Sequence, residues 1–379
     1  MKKRLIIIFS SILIFMMSTA CAGLPIHYEN LVAEVSDMLT PQNERINYLE
    51  ENKTYELPLN GVTGFASINL PVREQTDKNA NVVETLTPGQ PFTIIDETNE
   101  WWQIDTGSTK GYVVHAYCFI NLPDILPSII YENTNGRASI MRSAGKPIPQ
   151  ITDQKLYDTY HYNARLGKNE FSVPVLYAMA EKIAKAQQHA RSEGNTLVIY
   201  EGYRPYEVQS AVVKNVTTLA ENDPEVKRAI SEAPWSSAWF ILTGVSNHQR
   251  GYAIDVSLAS ITAEAEKSTG PYSYVEFTGY ELYEMPSPIH ELSTRSVSLR
   301  YPVNTRSKTA WRDVPPAEAM NEPALALRTY CTDAGLTPIA SEWWHFNDLD
   351  CSETVDESGN AGQFKVADNM SRSPERPLR

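Results

Sequence analysis

Five side chains in this sequence have the types and the order that metal-assisted hydrolysis needs: Arg204, His248, Asp255, Glu342 and His345. The segment Ser246-Asn247-His248-Gln249-Arg250-Gly251-Tyr252-Ala253-Ile254-Asp255 reads as a loop running into a strand. Along that strand Tyr252, Ile254 and Val256 alternate with Ala253, Asp255 and Ser257, so one face can pack on a core while Asp255 stands on the other. His248 lies just ahead of the strand. One imidazole and one carboxylate converging there supply two of the three protein ligands of an open zinc site. The segment Ser341-Glu342-Trp343-Trp344-His345-Phe346 offers a third ligand, His345, in aromatic, water-poor surroundings. Glu342, close to a metal but not bound to it, has the chemistry of a base that takes a proton from water and passes it to a departing amine. Residues three apart on a regular strand face opposite sides, so Glu342 and His345 can serve one site only where the segment bends, bulges or ends. In Glu201-Gly202-Tyr203-Arg204-Pro205 a turn follows the apolar strand Leu197-Val198-Ile199-Tyr200 and puts Arg204 at that strand's C-terminal edge. A guanidinium there can polarise a carbonyl and stabilise the oxyanion that forms on attack.

Each element alone has an ordinary explanation. A His beside a strand is more often a core or surface residue than a ligand, Glu-Trp-Trp-His can be buried aromatics beside a solvated carboxylate, and an Arg in such a turn is usually in a salt bridge. The ordered set is what points to a site.

The elements that must position these groups differ in texture along the chain. With 379 residues the chain exceeds one ordinary core, so two domains are expected. The formal charge of −13, with acids and bases mixed and no long Lys/Arg block, argues against a nucleic-acid partner. Met1-Lys2-Lys3-Arg4, the apolar run Leu5 to Met17 and the small residues before Cys21 have the layout of a secretory signal over residues 1–21. Cys21, just after Ser18-Thr19-Ala20, also resembles a bacterial lipoprotein cleavage site, which implies an exported chain held at the outer face of the cytoplasmic membrane by lipid on Cys21; the alternative is plain secretion to the cell wall with an incidental cysteine. Residues 22–58 are polar and aperiodic and read as a linker.

Residues 59–122 carry short β-rich runs separated by turn signals such as Pro88-Gly89 and Thr106-Gly107-Ser108, the pattern of a small all-β barrel. The order Leu70-Pro71-Val72-Arg73, Leu86-Thr87-Pro88-Gly89, Glu100-Trp101-Trp102-Gln103-Ile104 and Gly111-Tyr112-Val113 resembles a bacterial SH3 domain, which implies binding to cell-wall peptides. The bland reading is that Trp101 or Trp102 fills the barrel core. Residues 123–150 read as a second linker, and 151–351 as a mixed α+β domain. Within it Ser172 is expected to cap a helix that has Pro174 in its first turn, a stripe at Leu176, Met179, Ile183 and Ala186, and Gly194 as its stop. Further helices are expected over Tyr206 to Ala220 and Pro323 to Ala334. Cys331 and Cys351 bracket the Glu-Trp-Trp-His segment and are candidates for a disulfide that pins it. Residues 352–379 are polar, finish in Ser373-Pro374-Glu375-Arg376-Pro377, and read as a disordered tail.

Over about residues 155 to 350 the sequence resembles the D-alanyl-D-alanine dipeptidase and carboxypeptidase family of zinc peptidases. The family motifs Tyr-Arg-Pro, Ser-x-His with Gly-x-Ala-x-Asp, and Glu-x-Trp-His match at Tyr203-Arg204-Pro205, at Ser246-Asn247-His248 with Gly251-Tyr252-Ala253-Ile254-Asp255, and at Glu342-Trp343-Trp344-His345. The resemblance implies an α+β zinc peptidase behind a small all-β SH3-like barrel. It implies one zinc ion per chain on His248, Asp255 and His345, Glu342 as catalytic base, Arg204 near the transition state and Ser246 in the substrate site. The stretch from Glu284 to Ser296 resembles the dipeptidase branch, where an acidic residue before Met faces the free amino group of a dipeptide; Glu284 holds that place. The implied substrates are peptidoglycan stem peptides or D-Ala-D-Ala. The competing readings are a wall-binding lipoprotein whose peptidase fold is inactive, and a serine enzyme built on Ser143-Ala144-Gly145-Lys146. The serine enzyme needs a helical turn that Gly145 and Pro147 make poor.

Overall fold

The computed structural model describes residues 45–51, 53–357 and 362–375. The expected signal segment, the lipid site at Cys21 and most of the first expected linker lie outside them.

The β-rich runs form seven strands: β1 (Thr63–Ala66), β2 (Leu70–Arg73), β3 (Val82–Leu86), β4 (Pro91–Thr98), β5 (Trp101–Asp105), β6 (Lys110–Val114) and β7 (Cys118–Asn121). They are antiparallel neighbours in the order β7-β1-β4-β5-β6-β2-β3. An eighth strand, β8 (Pro174–Leu176), continues this sheet beside β7, with Val175 opposite Ile120 and Leu176 opposite Phe119. Two parts that read as separate domains therefore share one sheet, and the described residues from Ile46 onward cluster as one compact unit.

The expected cap at Ser172 is corrected by this pairing. Pro174 to Leu176 are strand, and the helix α1 (Tyr177–Ser192) starts after them with no side-chain cap. A proline is tolerated on an edge strand, and β8 lies at the sheet edge, so pairing with β7 overrides the helix-start signal over three residues. The rest of the stripe holds: Met179, Ile183 and Ala186 are buried, and Gly194 follows the helix at φ +79°.

Both tryptophans of β5 are buried. The Trp102 ring lies 4.6 Å from that of Tyr177 on α1, and its Nε1–H donates to Glu97 Oε1 at 3.1 Å. Large-to-small changes at such a site cost about 3–5 kcal/mol. Because Trp102 packs on α1 as well as on its own sheet, Trp102→Ala is expected to lower the melting temperature of the whole chain in a single calorimetric transition. Two separate transitions, only one of them shifted, would contradict the shared core.

The second sheet is built from β9 (Asn195–Glu201), β10 (Ala253–Thr269), β11 (Tyr272–Leu282) and β12 (His345–Asn347). β10 pairs with β9 through its first half and with β11 through its second, while β12 lies on its other side at Ala253 to Asp255. Ile46–Asn47 and Ile130–Tyr131 extend the sheet as parallel partners of β11 and β9. Helix α2 (Tyr206–Asn222) matches expectation. It leads into α3 (Pro224–Ser231), which no periodicity announced. Its start was nonetheless legible, because the Asp223 side chain accepts the N–H groups of Glu225 and Val226 ahead of Pro224 in the first turn. Helix α4 (Glu322–Asp333), capped by Asn321, and α5 (Leu349–Glu357) complete the layers.

Four further expectations are overturned. Residues 123–150 are no free linker: Ile125, Leu126, Ile129, Tyr131 and Met141 are buried, and Asn135 donates to Glu201 Oε1 at 2.9 Å. The segment was aperiodic because loop backbone fixed by tertiary hydrogen bonds needs no repeat. At the end of the preceding linker, Glu56 is buried and accepts from the Ser128 N–H at 2.9 Å. Residues 362–375 return across both sheets: Phe364 stacks on Tyr203 at 5.7 Å, Arg372 N donates to Gly61 O at 2.9 Å, and Thr63 N donates to Ser371 Oγ at 3.0 Å. Gly89 permits that passage, since a Cβ there would stand 1.9 Å from Lys365 O. Cys331 and Cys351 are buried thiols and form no disulfide. Ser143 and Lys146 lie on a two-stranded hairpin, the serine donating to Leu292 O at 2.8 Å and the lysine bound by Asp223 and Glu225, which removes the serine-enzyme reading.

Candidate metal centre

The register of the second sheet places the site. Asp255 is opposite His345 on β12 and opposite Glu201 on β9, so the three side chains stand in one row on one face, while Ile254 and Phe346 turn to the core. The bend required between Glu342 and His345 is a turn at Trp343 and Trp344, just before β12 begins. His248 sits in the turn before β10. That turn closes at Gly251, where φ is +77° and a Cβ would stand 2.3 Å from the Phe119 ring of β7. β8 joins the two chemical loops to the first sheet, because Leu176 N donates to Gly251 O at 2.8 Å and Tyr203 N to Pro174 O at 2.9 Å.

His248, Asp255 and His345 each aim one ligand atom at a common point, all within 4.8 Å of one another and all buried. His248 Nε2 is 3.2 Å from His345 Nδ1 and 3.3 Å from Asp255 Oδ1, and His345 Nδ1 is 3.0 Å from Asp255 Oδ1. The opposite ring nitrogens are fixed by acceptors: His248 Nδ1 by Gly202 O at 2.7 Å, and His345 Nε2 by Asn347 Oδ1 at 3.0 Å. Those acceptors let each ring keep a hydrogen on the far nitrogen and turn a lone pair inward when a cation is bound, the outer-shell pattern of metal-binding histidines. Two imidazole nitrogens and one carboxylate oxygen fit a zinc ion with an open fourth position.

The remaining groups surround this trio. Arg204 donates from Nε to Glu201 Oε2 at 2.6 Å, from Nη1 to Gln209 Oε1 at 2.8 Å and from Nη2 to Asp255 Oδ2 at 3.1 Å, and Nη2 also meets Glu201. Glu342 Oε2 is 3.7 Å from His345 Nδ1. Ser246 lines the cavity with its Oγ buried and without a hydrogen-bond partner among the described residues. Glu201, Asp255 and His290 form a second acidic cluster, but the Arg204 guanidinium already stands between its two carboxylates. Glu284 is not brought to the site. It is exposed just past β11, its carbonyl accepts from Asn321 Nδ2 at 2.7 Å, and it does not line the cavity.

Burial opposes the Asp255 carboxylate, yet the His248 charge and hydrogen bonds from His248, His290 and His345 hold it well below the usual range. Burial keeps His248 below its ordinary value. For His345 burial is outweighed by the bond and charge of Asp255, which raise it. Burial pushes Glu342 up to about 8. A cation on the three ligands would pull it down again, because a nearby positive charge favours the carboxylate.

These groups open on a cavity of about 850 Å³. Met141, Phe240, Ile241, Leu292 and Ile339 give it apolar walls, and Arg250, Asn304, Arg306 and Lys308 line it as polar groups. Sequence reasoning missed Gln209, His290 and Asn347. Asn347 was findable, two residues beyond His345 on the same strand face; His290 obeys no spacing that links it to the motifs.

Residues 175–276 match the model of the D-alanyl-D-alanine carboxypeptidase family, a span that contains Arg204, Ser246, His248 and Asp255 and stops short of Glu342 and His345. Residues 68–118 match the bacterial SH3 domain. The chain is 27% identical over 164 residues to the D-alanyl-D-alanine dipeptidase of Escherichia coli (strain K12), covering 43% of this chain and 61% of that protein, less than two thirds of its length. It is 25% identical over 176 residues to the D-alanyl-D-alanine dipeptidase of Streptomyces coelicolor (strain ATCC BAA-471 / A3(2) / M145), covering 45% of this chain and 70% of that protein. A crystal structure of a mutant vancomycin resistance D,D-pentapeptidase in complex with Zn(II) aligns over 57% of this chain and 92% of its own at 14% identity, with a TM-score of 0.24. The chain thus carries a segment similar to a bacterial SH3 domain, residues 68–118, ahead of one similar to the D-alanyl-D-alanine carboxypeptidase family, residues 175–276.

Proposed function

We propose that this chain is a zinc-dependent D,D-carboxypeptidase that removes the terminal D-Ala from cell-wall stem peptides. The observation that carries the reading is the convergence of His248, Asp255 and His345, with Glu342 beside them, in one buried cluster that lines a large cavity. Those three residues would hold the zinc ion, which when bound would supply Lewis acidity for hydrolysis. Glu342 takes a proton from the attacking water as its oxygen bonds to the carbonyl carbon, and delivers that proton to the amine nitrogen as the C–N bond breaks. Arg204 holds Oδ2 of Asp255, and its second Nη1 hydrogen is the one available to the carbonyl oxygen. Ser246 offers its unpartnered hydroxyl to the substrate.

A longer peptide is favoured over the free dipeptide on two grounds. The cavity, about 850 Å³, is near the upper end of the roughly 300–1,000 Å³ of small-molecule sites. Glu284, expected to pair with a dipeptide's ammonium, does not line it. The dipeptidase reading is kept as the second one because both curated relatives carry that name. Wall binding through the SH3 domain would use surfaces other than Trp101 and Trp102, which are buried. The substrate requires an exported enzyme, with lipid on Cys21 or in the wall.

The test is D-Ala release from a stem pentapeptide and from D-Ala-D-Ala, with zinc and after chelation. Release from the pentapeptide with the higher kcat/KM, abolished by chelation and restored by zinc, is expected. Glu284→Ala is expected to leave both substrates unaffected. Selective loss of dipeptide turnover in that variant would revive the dipeptidase reading, and no release from either substrate would sink the proposal, leaving a wall-binding protein without activity.

A further inference from the structure

His290 is almost wholly buried, with a ring that stands edge-on to Tyr200 and to Trp344, each at 6.2 Å. Two of its features are unfavourable. Its backbone is left-handed at φ +63°, a region that residues other than glycine seldom occupy. Its Nδ1 is buried without a hydrogen-bond partner among the described residues. Strain of this kind persists only where surrounding contacts over-determine it. The side-chain hydrogen bond that His290 makes runs from Nε2 to Asp255 Oδ2, at 3.2 Å. An ionised carboxylate only accepts, so Nε2 carries the hydrogen.

We propose that His290 is a positioning residue of the metal centre: with Arg204 it occupies Oδ2 of Asp255 and so leaves Oδ1 alone to face His248 and His345. The inference rests on the zinc reading above and goes beyond it by assigning a role to a residue that lies outside the metal-site motifs. With Oδ2 held by two donors from different directions, 3.1 Å from Arg204 Nη2 and 3.2 Å from His290 Nε2, the carboxylate plane is fixed and Asp255 is confined to one-oxygen coordination. Freed from one donor, it can rotate and offer both oxygens or neither. The main-chain carbonyl of His290 accepts from Arg142 N at 3.1 Å, which ties the strained residue to the 142–147 hairpin.

The test uses the full chain with His290→Phe, which keeps a ring between Tyr200 and Trp344 and removes the donor, and His290→Gln, which returns an N–H near the place of Nε2. Three quantities are measured: zinc affinity by chelator competition, the visible absorption of the cobalt(II)-loaded chain, and the melting temperature of the metal-free chain. Outer-shell partners are worth about 10–100-fold in metal affinity, so His290→Phe is expected to lose that much, with altered cobalt bands and an unchanged metal-free melting temperature. His290→Gln is expected to recover most of the affinity and the wild-type bands. Wild-type affinity and bands in His290→Phe overturn the inference, as does an affinity loss in both variants that follows a loss of metal-free stability. If His290→Phe fails to fold, His290→Gln decides alone: wild-type bands support the role, and altered bands with normal stability overturn it. A wild-type chain that binds no zinc overturns the zinc reading, and this inference with it; a binding wild type beside an indifferent His290→Phe overturns this inference only.

Discussion

Replacing His248 with alanine is expected to take zinc content from near one ion per chain to near none after dialysis, and to abolish hydrolysis. A site of two imidazoles and one carboxylate has no protein ligand to spare, and the two groups left behind, Asp255 and His345, cannot by themselves make a catalytic zinc site. The change should spare the fold. The turn around His248 is held by main-chain bonds that do not involve its ring, from Gly251 N to His248 O at 3.1 Å and from Leu176 N to Gly251 O at 2.8 Å. The variant should therefore melt where the metal-free wild type melts. Elemental analysis decides the matter, and full zinc content in His248→Ala would remove this residue from the centre.

Glu342→Gln should do the reverse, keeping the metal and losing the rate. The substitution preserves the side chain's shape and one acceptor oxygen while removing the basic carboxylate. A general base is worth about 10²–10⁴ in rate, and the loss should appear in kcat with little change in KM, because the group acts on the proton in flight and not on substrate binding. Glu342 lines the cavity 3.7 Å from His345 and borders the trio without belonging to it, so zinc content should stay at the wild-type level. Near-normal turnover would mean that another group takes the proton from water.

The convergence of His248, Asp255 and His345 was legible from the ordered set of motifs, together with the strand and turn logic inside each one. The alternation of Tyr252, Ile254 and Val256 with Asp255 fixes a strand face, and the step of three positions from Glu342 to His345 demands a bend; the sheet register and the turn at Trp343 and Trp344 supply both. The helices α2 and α4 were legible for the same reason, as was the end of α1 at Gly194. What stayed hidden depends on partners distant in sequence. Pro174 to Leu176 carry a helix-start signal, and only β7, more than fifty residues earlier, makes them a strand. Asn135 and Ser371 sit in polar stretches with no period, yet one binds Glu201 and the other binds Thr63. Glu284 was assigned to the site by likeness to a short motif, but the long β10–β11 hairpin ahead of it leaves it outside the cavity. His290 is the converse: it lies in the same stretch, Glu284 to Ser296, with no spacing that ties it to the metal motifs, and only the fold sets its ring against Asp255.

β8 is three residues long, yet it changes how the two parts of the chain can work together. A binding module on a flexible tether lets its enzyme sample a sphere of positions, and the tether's length sets the effective concentration of target bonds. Here β8 leaves no tether: the strand that extends the first sheet also hydrogen-bonds the loops that carry His248 and Arg204. If the barrel grips the cell wall as proposed, the cavity that holds His248, Asp255 and His345 stands at one distance and one angle from the point of attachment. An enzyme so built would work as a ruler: under the proposed function it is expected to cut bonds at its fixed reach from the point of attachment and to pass over chemically identical bonds nearer or farther away.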